Sequence, residues 1–116
     1  MKTAGLQVSH REVAPDTVVV TLAGKMMLSD SAALETVIAT LLETGRRKFI
    51  VDLSGLTHID STGIGTFIAS LGKVSQAGGA LAMAGAGGMV REGFRVTRLD
   101  KVFRFFPDVE SARATL

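Results

Sequence analysis

The residues whose types and spacing could do chemistry gather in one stretch, Asp60–Ser61–Thr62–Gly63–Ile64–Gly65. It follows Lys48–Phe49–Ile50–Val51–Asp52–Leu53, an apolar run that reads as a strand, and from Thr62 onward it reads as the first turn of a helix. Ser61 then stands where a strand-to-helix turn delivers a hydroxyl to a helix N-terminus. Such an end has unpaired N–H groups and a partial positive charge, so it tolerates an anion. Asp60 and Ser61 are both good N-cap residues, and one of them would satisfy free N–H groups there. Gly63 and Gly65 are each about 1 kcal/mol poorer than alanine inside a helix, so two in one turn suggest a surface kept bare for a partner's backbone. Ser61 thus reads either as a cap or as a phosphate acceptor. A phosphate would add about −1.5 to −2 charges, which the helix end tolerates and a partner fitted to the bare turn does not. The fold would stay the same and the interface would change.

Other constellations are incomplete. His58 lies three residues before Ser61 and reads as a surface loop residue; no Gly-x-Ser-x-Gly elbow exists, and His10 is distant in sequence. Two histidines without cysteine or an acidic cluster make no metal site. Gly85–Ala86–Gly87–Gly88 follows a strand but has neither Gly-x-Gly-x-x-Gly nor a Gly-Lys-Ser/Thr ending, so it reads as a connection. Arg91, Arg95 and Arg98 are spaced to form one basic helix stripe, either solvated or facing an acidic partner. These readings nominate no catalytic residues and no cofactor, so the chain is expected not to be an enzyme, with a small enzyme or nucleotide-binding protein using the Ser61 turn as the remaining alternative.

The elements that must position the turn follow from pattern. A chain of 116 residues reads as one domain over 1–116, long enough to bury roughly two-thirds of its unfolded surface. Its 47% apolar and 21% charged residues are ordinary for a globular domain. A net charge of +2, with no tryptophan or tyrosine, argues against nucleic acid. Without cysteine there are no disulfides, and no stretch reads as a signal peptide or a membrane span, so the expected location is cytoplasmic.

Gln7 to Glu12 reads as a short edge strand, Ala14–Pro15–Asp16 as a turn, and Thr17 to Leu22 as a strand ended by Gly24, the two strands forming a hairpin. Ser29, Asp30 or Ser31 can cap a helix carrying Leu34, Val37, Ile38, Leu41 and Leu42, stopped at Gly45. Arg46 to Leu53 is the next strand. The helix after Ser61 is expected to bury Ile64, Phe67, Ile68, Leu71 and Val74 and to close at Gly78–Gly79. Ala80 to Ala84 reads as a buried strand, Met89 to Leu99 as a third helix, Val102 to Phe106 as a final strand, and Asp108 as the cap of a last helix. This alternation predicts an α/β domain with a mainly parallel sheet, whose functional sites gather at the carboxyl ends of strands.

The stretch Val51–Asp52–Leu53–Ser54–Gly55–Leu56–Thr57–His58–Ile59–Asp60–Ser61–Thr62–Gly63–Ile64–Gly65 closely resembles the signature of the STAS domain, named for sulfate transporters and anti-sigma factor antagonists. The Gly24 turn, Gly78–Gly79 and the segment Leu99–Asp100–Lys101–Val102–Phe103 extend the resemblance along the chain. A stand-alone chain of this kind resembles a bacterial anti-sigma factor antagonist. That resemblance implies a sheet of four or five strands, the first antiparallel, with about four helices. It also implies that Ser61 is phosphorylated by a serine kinase that is itself the anti-sigma factor. The unphosphorylated chain binds that kinase and so regulates transcription, and a serine phosphatase resets the switch. Carried over by position, Asp60, Thr62, Gly63 and Gly65 shape the contact surface around Ser61. One departure is that Lys25, Met26 and Met27 stand where family members often carry acids after the glycine, with Asp30 as an acidic residue one turn later. Lys25, Met26 and Met27 are read as part of a partner surface of different character, with core as the other reading of the methionine pair. The other role the resemblance allows is a non-catalytic subunit of a larger signalling complex or of a transporter.

Overall fold

The computed structural model describes residues 5–27 and 32–116. The densest β-branched run sets the middle of the sheet: Val18, Val19 and Val20 are wholly buried, as are Phe49, Ile50 and Val51 beside them. Five strands lie in chain order: β1 (Leu6–Ala14), β2 (Thr17–Met26), β3 (Lys48–Ile59), β4 (Ala80–Ala84) and β5 (Arg104–Phe106). β1 pairs antiparallel with β2 through the Pro15–Asp16 turn, and the other pairs are parallel. The expected hairpin and mainly parallel sheet are therefore both present.

Each parallel step needs a crossover. These are α1 (Ala32–Glu43), α2 (Ser61–Gln76) and α3 (Gly88–Val96), the last extended by a 3₁₀ turn at Leu99–Lys101. Successive crossovers step in one direction across the sheet, so a single handedness puts all three helices on one face. The core shows this. Leu34 and Ile38 of α1, Phe67 and Val74 of α2, and Val90 and Phe94 of α3 pack in one cluster with Val18, Val20, Val51 and Met83. The alternate strand residues Val19, Ile50, Ala82 and Ala84 point the other way and meet Ala112 of α4 (Val109–Thr115). Ala82 and Ala84 of β4 are thus buried, and their small size suits a single short helix packed above them. Asp108 caps α4 by accepting from the Ser111 N–H at 2.8 Å, and that bond leads in holding its carboxyl below the usual carboxylate range.

Several boundaries differ from expectation for identifiable reasons. β1 runs further than Gln7 to Glu12 because its partner strand supplies a register for it out to Ala14. Gly24 does not end β2. It adopts φ +100° inside the strand, pairing continues to Met26, and register shifts flank it on β3. A Cβ there would overlap the carbonyl of Gly5. β3 likewise passes through the polar stretch Ser54 to Ile59, so His58 is a half-buried strand residue opposite Lys25, not a loop residue. α3 ends at Val96 and Arg98 sits in the left-handed region at φ 62°, which breaks the predicted arginine stripe. β5 is shorter than expected, and Phe103 just before it is core. The caps proposed at Ser29, Asp30 and Ser31 lie outside the described residues.

Phe94 stands at the centre of an edge-to-face group with Phe67, Phe103 and Phe105, at ring separations of 5.5, 5.5 and 5.3 Å. Phe94→Ala is expected to lower unfolding stability by about 3–5 kcal/mol, read from denaturant titration. A loss below about 1 kcal/mol would show that this group does not anchor the fold.

Candidate functional site

The site forms where β2 and β3 end and α2 begins. Asp60 is extended (φ −109°, ψ −177°) and its carboxylate accepts the Gly63 N–H at 2.9 Å. Its backbone N–H donates to the Met26 carbonyl at 3.3 Å, tying the start of α2 to the end of β2. Asp60 is therefore the cap, and Ser61 is the first residue of the helix. This settles the choice of cap: the Ser61 side chain is exposed and its hydroxyl is not needed to close the helix.

The two glycines of the turn have opposite surroundings. Gly63 is buried, and a Cβ there would lie 2.8 Å from Ile59 Cγ1, 3.0 Å from the Met26 oxygen and 3.2 Å from Met26 Cγ. Gly65 is exposed, with nothing within 4 Å of its would-be Cβ. Bareness at Gly63 thus serves the close approach of helix to strand ends, and only Gly65 is bare toward solvent. The three residues after Gly24 divide in the same way. Met26 is wholly buried and Met27 is 39% exposed, while Lys25 is exposed next to His58. Met26 is thus core, one of the two readings open for the methionine pair, and buried Gly63 supports the turn from below, so neither is open to a partner as the expected contact surface required. Thr62 is half-buried.

His58 engages elsewhere. Its Nδ1 lies 2.9 Å from the Thr57 hydroxyl, which donates to the Gly24 carbonyl at 3.0 Å. The Thr57 hydroxyl thus ties β3 to the kink at Gly24, and His58 lies against that hydroxyl. No group of three or more His, Cys, Asp or Glu able to hold a metal ion occurs among the described residues.

Sequence periodicity missed one residue. Ile68 was expected in the core, yet it is 48% exposed, while Thr66 and Ser70 are buried instead. The signal was present: Ile68 is seven residues from Ser61, so Ser61, Gly65, Ile68 and Gly72 line one outward stripe of α2. Ile68 is the one large apolar side chain on a stripe otherwise made of a serine and two glycines.

A model of the STAS domain matches residues 10–112 of the chain. Solved structures share the fold at low identity. An anti-sigma factor antagonist from Mycobacterium paratuberculosis superposes with a TM-score of 0.83 at 22% identity, covering 95% of this chain and 92% of that one. The Bacillus cell fate determinant SpoIIAA in its phosphorylated form gives 0.74 at 17% identity, covering 95% of this chain and 100% of the other. A sulfate transporter family protein from Wolinella succinogenes gives 0.79 at 17% identity, covering 90% and 88%.

The contrast between the glycines is measurable. Gly65→Ala is expected to raise unfolding stability by about 1 kcal/mol through helix propensity alone. Gly63→Ala is expected to lower it by about 1–3 kcal/mol, since neither strand carbonyl nor Ile59 can move away freely. Equal effects at the two positions in denaturant titrations would contradict the packing described.

Proposed function

This chain belongs to the STAS domain family, and from that premise we propose that it is an anti-sigma factor antagonist switched by phosphorylation of Ser61. One observation carries the reading. Ser61 is an exposed hydroxyl at the first position of α2, and its neighbour Asp60 already performs the capping that would otherwise occupy it. A kinase can therefore take the hydroxyl without dismantling the helix.

The chemistry of the switch follows from the same geometry. A phosphate at Ser61 stands beside the N–H groups of the first turn, where the helix dipole favours negative charge. It also stands beside the Asp60 carboxylate and at the head of the Gly65–Ile68–Gly72 stripe. Without the phosphate, the stripe is nearly uncharged and smooth, suited to burial under a partner. With it, the partner must desolvate about −1.5 to −2 charges or stay off. The partner in this reading is an anti-sigma factor that is also a serine kinase, held by the unphosphorylated chain so that its sigma factor is released. A serine phosphatase restores the binding form, and the switch operates in the cytoplasm as one domain. Asp60 positions Ser61, Gly65 admits the partner's backbone, and Lys25 and Met27 extend the contact at the end of β2.

A role as a non-catalytic transporter or signalling-complex subunit draws on the similarity to the Wolinella protein. In that role the stripe would be covered permanently, and the chain would copurify as part of a stable complex.

Ser61→Ala is expected to bind the kinase with wild-type affinity and to gain no phosphate by intact-mass analysis after incubation with kinase and ATP. Ser61→Asp is expected to bind about tenfold or more weakly, a difference of about 1.4 kcal/mol. Wild type and Ser61→Asp binding a kinase equally would sink the interface switch.

A further inference from the structure

β1 is the long free edge of the sheet. Among the described residues it pairs with β2 alone, so the outward row of N–H and C=O groups along it is a template for another strand. Regular register with β2 runs from Leu6 to Glu12 and breaks at Val13, whose carbonyl accepts from Arg113 Nη2 at 3.2 Å. The straight part of the edge is therefore Leu6–Glu12, with Ser9 at its midpoint. Charge protects only one half of it. Leu6, Gln7, Val8 and Ser9 are uncharged, and His10, Arg11 and Glu12 follow. The flank of α1 beside the edge is uncharged as well. Thr36, Val37, Thr40 and Thr44 form one wall of a groove of about 420 Å³, and His10 and Glu12 stand on the other. Thr36 and Thr44 donate their hydroxyls to the Ala32 and Leu41 carbonyls of α1 at 3.1 and 2.8 Å, so neither hydroxyl needs a partner from outside.

These features select the occupant. Like charges directly opposite each other weaken a strand pair, so the added strand must keep cations away from Arg11 and His10 and anions away from Glu12. A second copy of β1, antiparallel about a two-fold axis at Ser9, does this over the whole straight edge. Gln7 then meets the partner's Arg11, Val8 meets the partner's His10, and Leu6 meets the partner's Glu12. The charged half of each copy lies against the uncharged half of the other. Glu12 already has Arg46 as its counter-ion and asks nothing of the second copy. An axis at Arg11 would oppose two arginines, and an axis at Glu12 two glutamates. Side chains alternate along the strand, and Val8 packs toward the three-helix core, so the partner's Val8 falls on the α1 side beside His10, at the groove. The uncharged flanks of the two α1 helices then face each other across the axis.

We propose that the chain forms a two-fold dimer by pairing β1 with the β1 of a second copy, antiparallel and centred on Ser9, so that one sheet runs through both copies. The inference does not rest on the reading of Ser61. That turn lies past the end of β3, two strands in from the edge, and it stays open in both copies. The dimer carries two Ser61 turns on one body, and a partner with two matching sites is held by both at once.

The test is sedimentation equilibrium of the full chain at concentrations up to about 1 mM. The wild type is expected to rise from the mass of one chain to that of two. Ser9→Lys sets two like charges face to face at the axis and is expected to weaken the dimer about tenfold or more. Gln7→Glu gives the partner's Arg11 a counter-ion, twice per dimer, and is expected to tighten it about threefold or more. Gln7 and Ser9 are exposed, and thermal melting checks the fold of each variant. Ser9→Glu, which also opposes like charges at the axis, replaces Ser9→Lys if that variant melts early. A wild type that stays at the mass of one chain throughout overturns the proposal. A dimer whose affinity is unmoved by Ser9→Lys or by Gln7→Glu overturns it too, because the copies then meet through another face or in another register.

Discussion

There is no room for a side chain at residue 63. The first turn of α2 lies against Ile59 and Met26 so closely that a single Cβ would meet both, and the Asp60 N–H fastens the turn to the Met26 carbonyl at 3.3 Å. This contact between a helix start and two strand ends fixes where Ser61 emerges. It sets the direction of the outward stripe on α2, and it puts Lys25 and Met27 beside that stripe, because the end of β2 is one wall of the contact. It also leaves Asp60 as the only side chain required to cap the helix. The hydroxyl next to it is then available for chemistry performed by another protein.

The sheet makes such a contact possible by delivering strand ends to one edge. Crossovers of one hand in chain order lay α1, α2 and α3 along the same face, so the N-termini of α2 and α3 rise side by side from the carboxyl edge. The opposite face needs only the short α4 over the small side chains Ala82 and Ala84. A surface spanning two helices and a strand end can therefore be built without any long loop. Beneath it the aromatic group joins the two helices, with the Phe67 ring of α2 standing 5.5 Å from that of Phe94 on α3.

Much of this was legible in the sequence, and the failures have physical causes. Val18–Val20 and Phe49–Val51 announced central strands because burial on both faces demands continuous apolar residues. The Ser61 turn was legible from local chemistry, which offered Asp60 and Ser61 equally as its cap. What local chemistry could not show was pairing with distant strands. Gly24 looks like a stop and is a kink, because β3 supplies partners as far as Ile59 for residues that are polar and look like loop. Gly63 and Gly65 look alike, yet only the packing of Met26 and Ile59 separates a glycine needed by the core from one open to solvent. Ile68 fits the core spacing set by Ile64 and Leu71, but it also lies seven residues from Ser61, and the structure turns it to that outward side. Arg98 in the left-handed region could not be anticipated, since few non-glycine residues adopt it.

The central claim is that a phosphate at Ser61 changes a surface and leaves the fold as it is. It is tested most directly by comparing backbone amide NMR spectra of the chain before and after stoichiometric phosphorylation of Ser61 by a serine kinase. Shifts confined to Asp60–Gly65 and the adjoining ends of β2 and α3, with the helical pattern of α2 intact, are the expected result. Shifts spread through β4 and α1, or loss of the α2 pattern, would mean that the phosphate acts by unfolding the helix, and would contradict a switch built on surface alone.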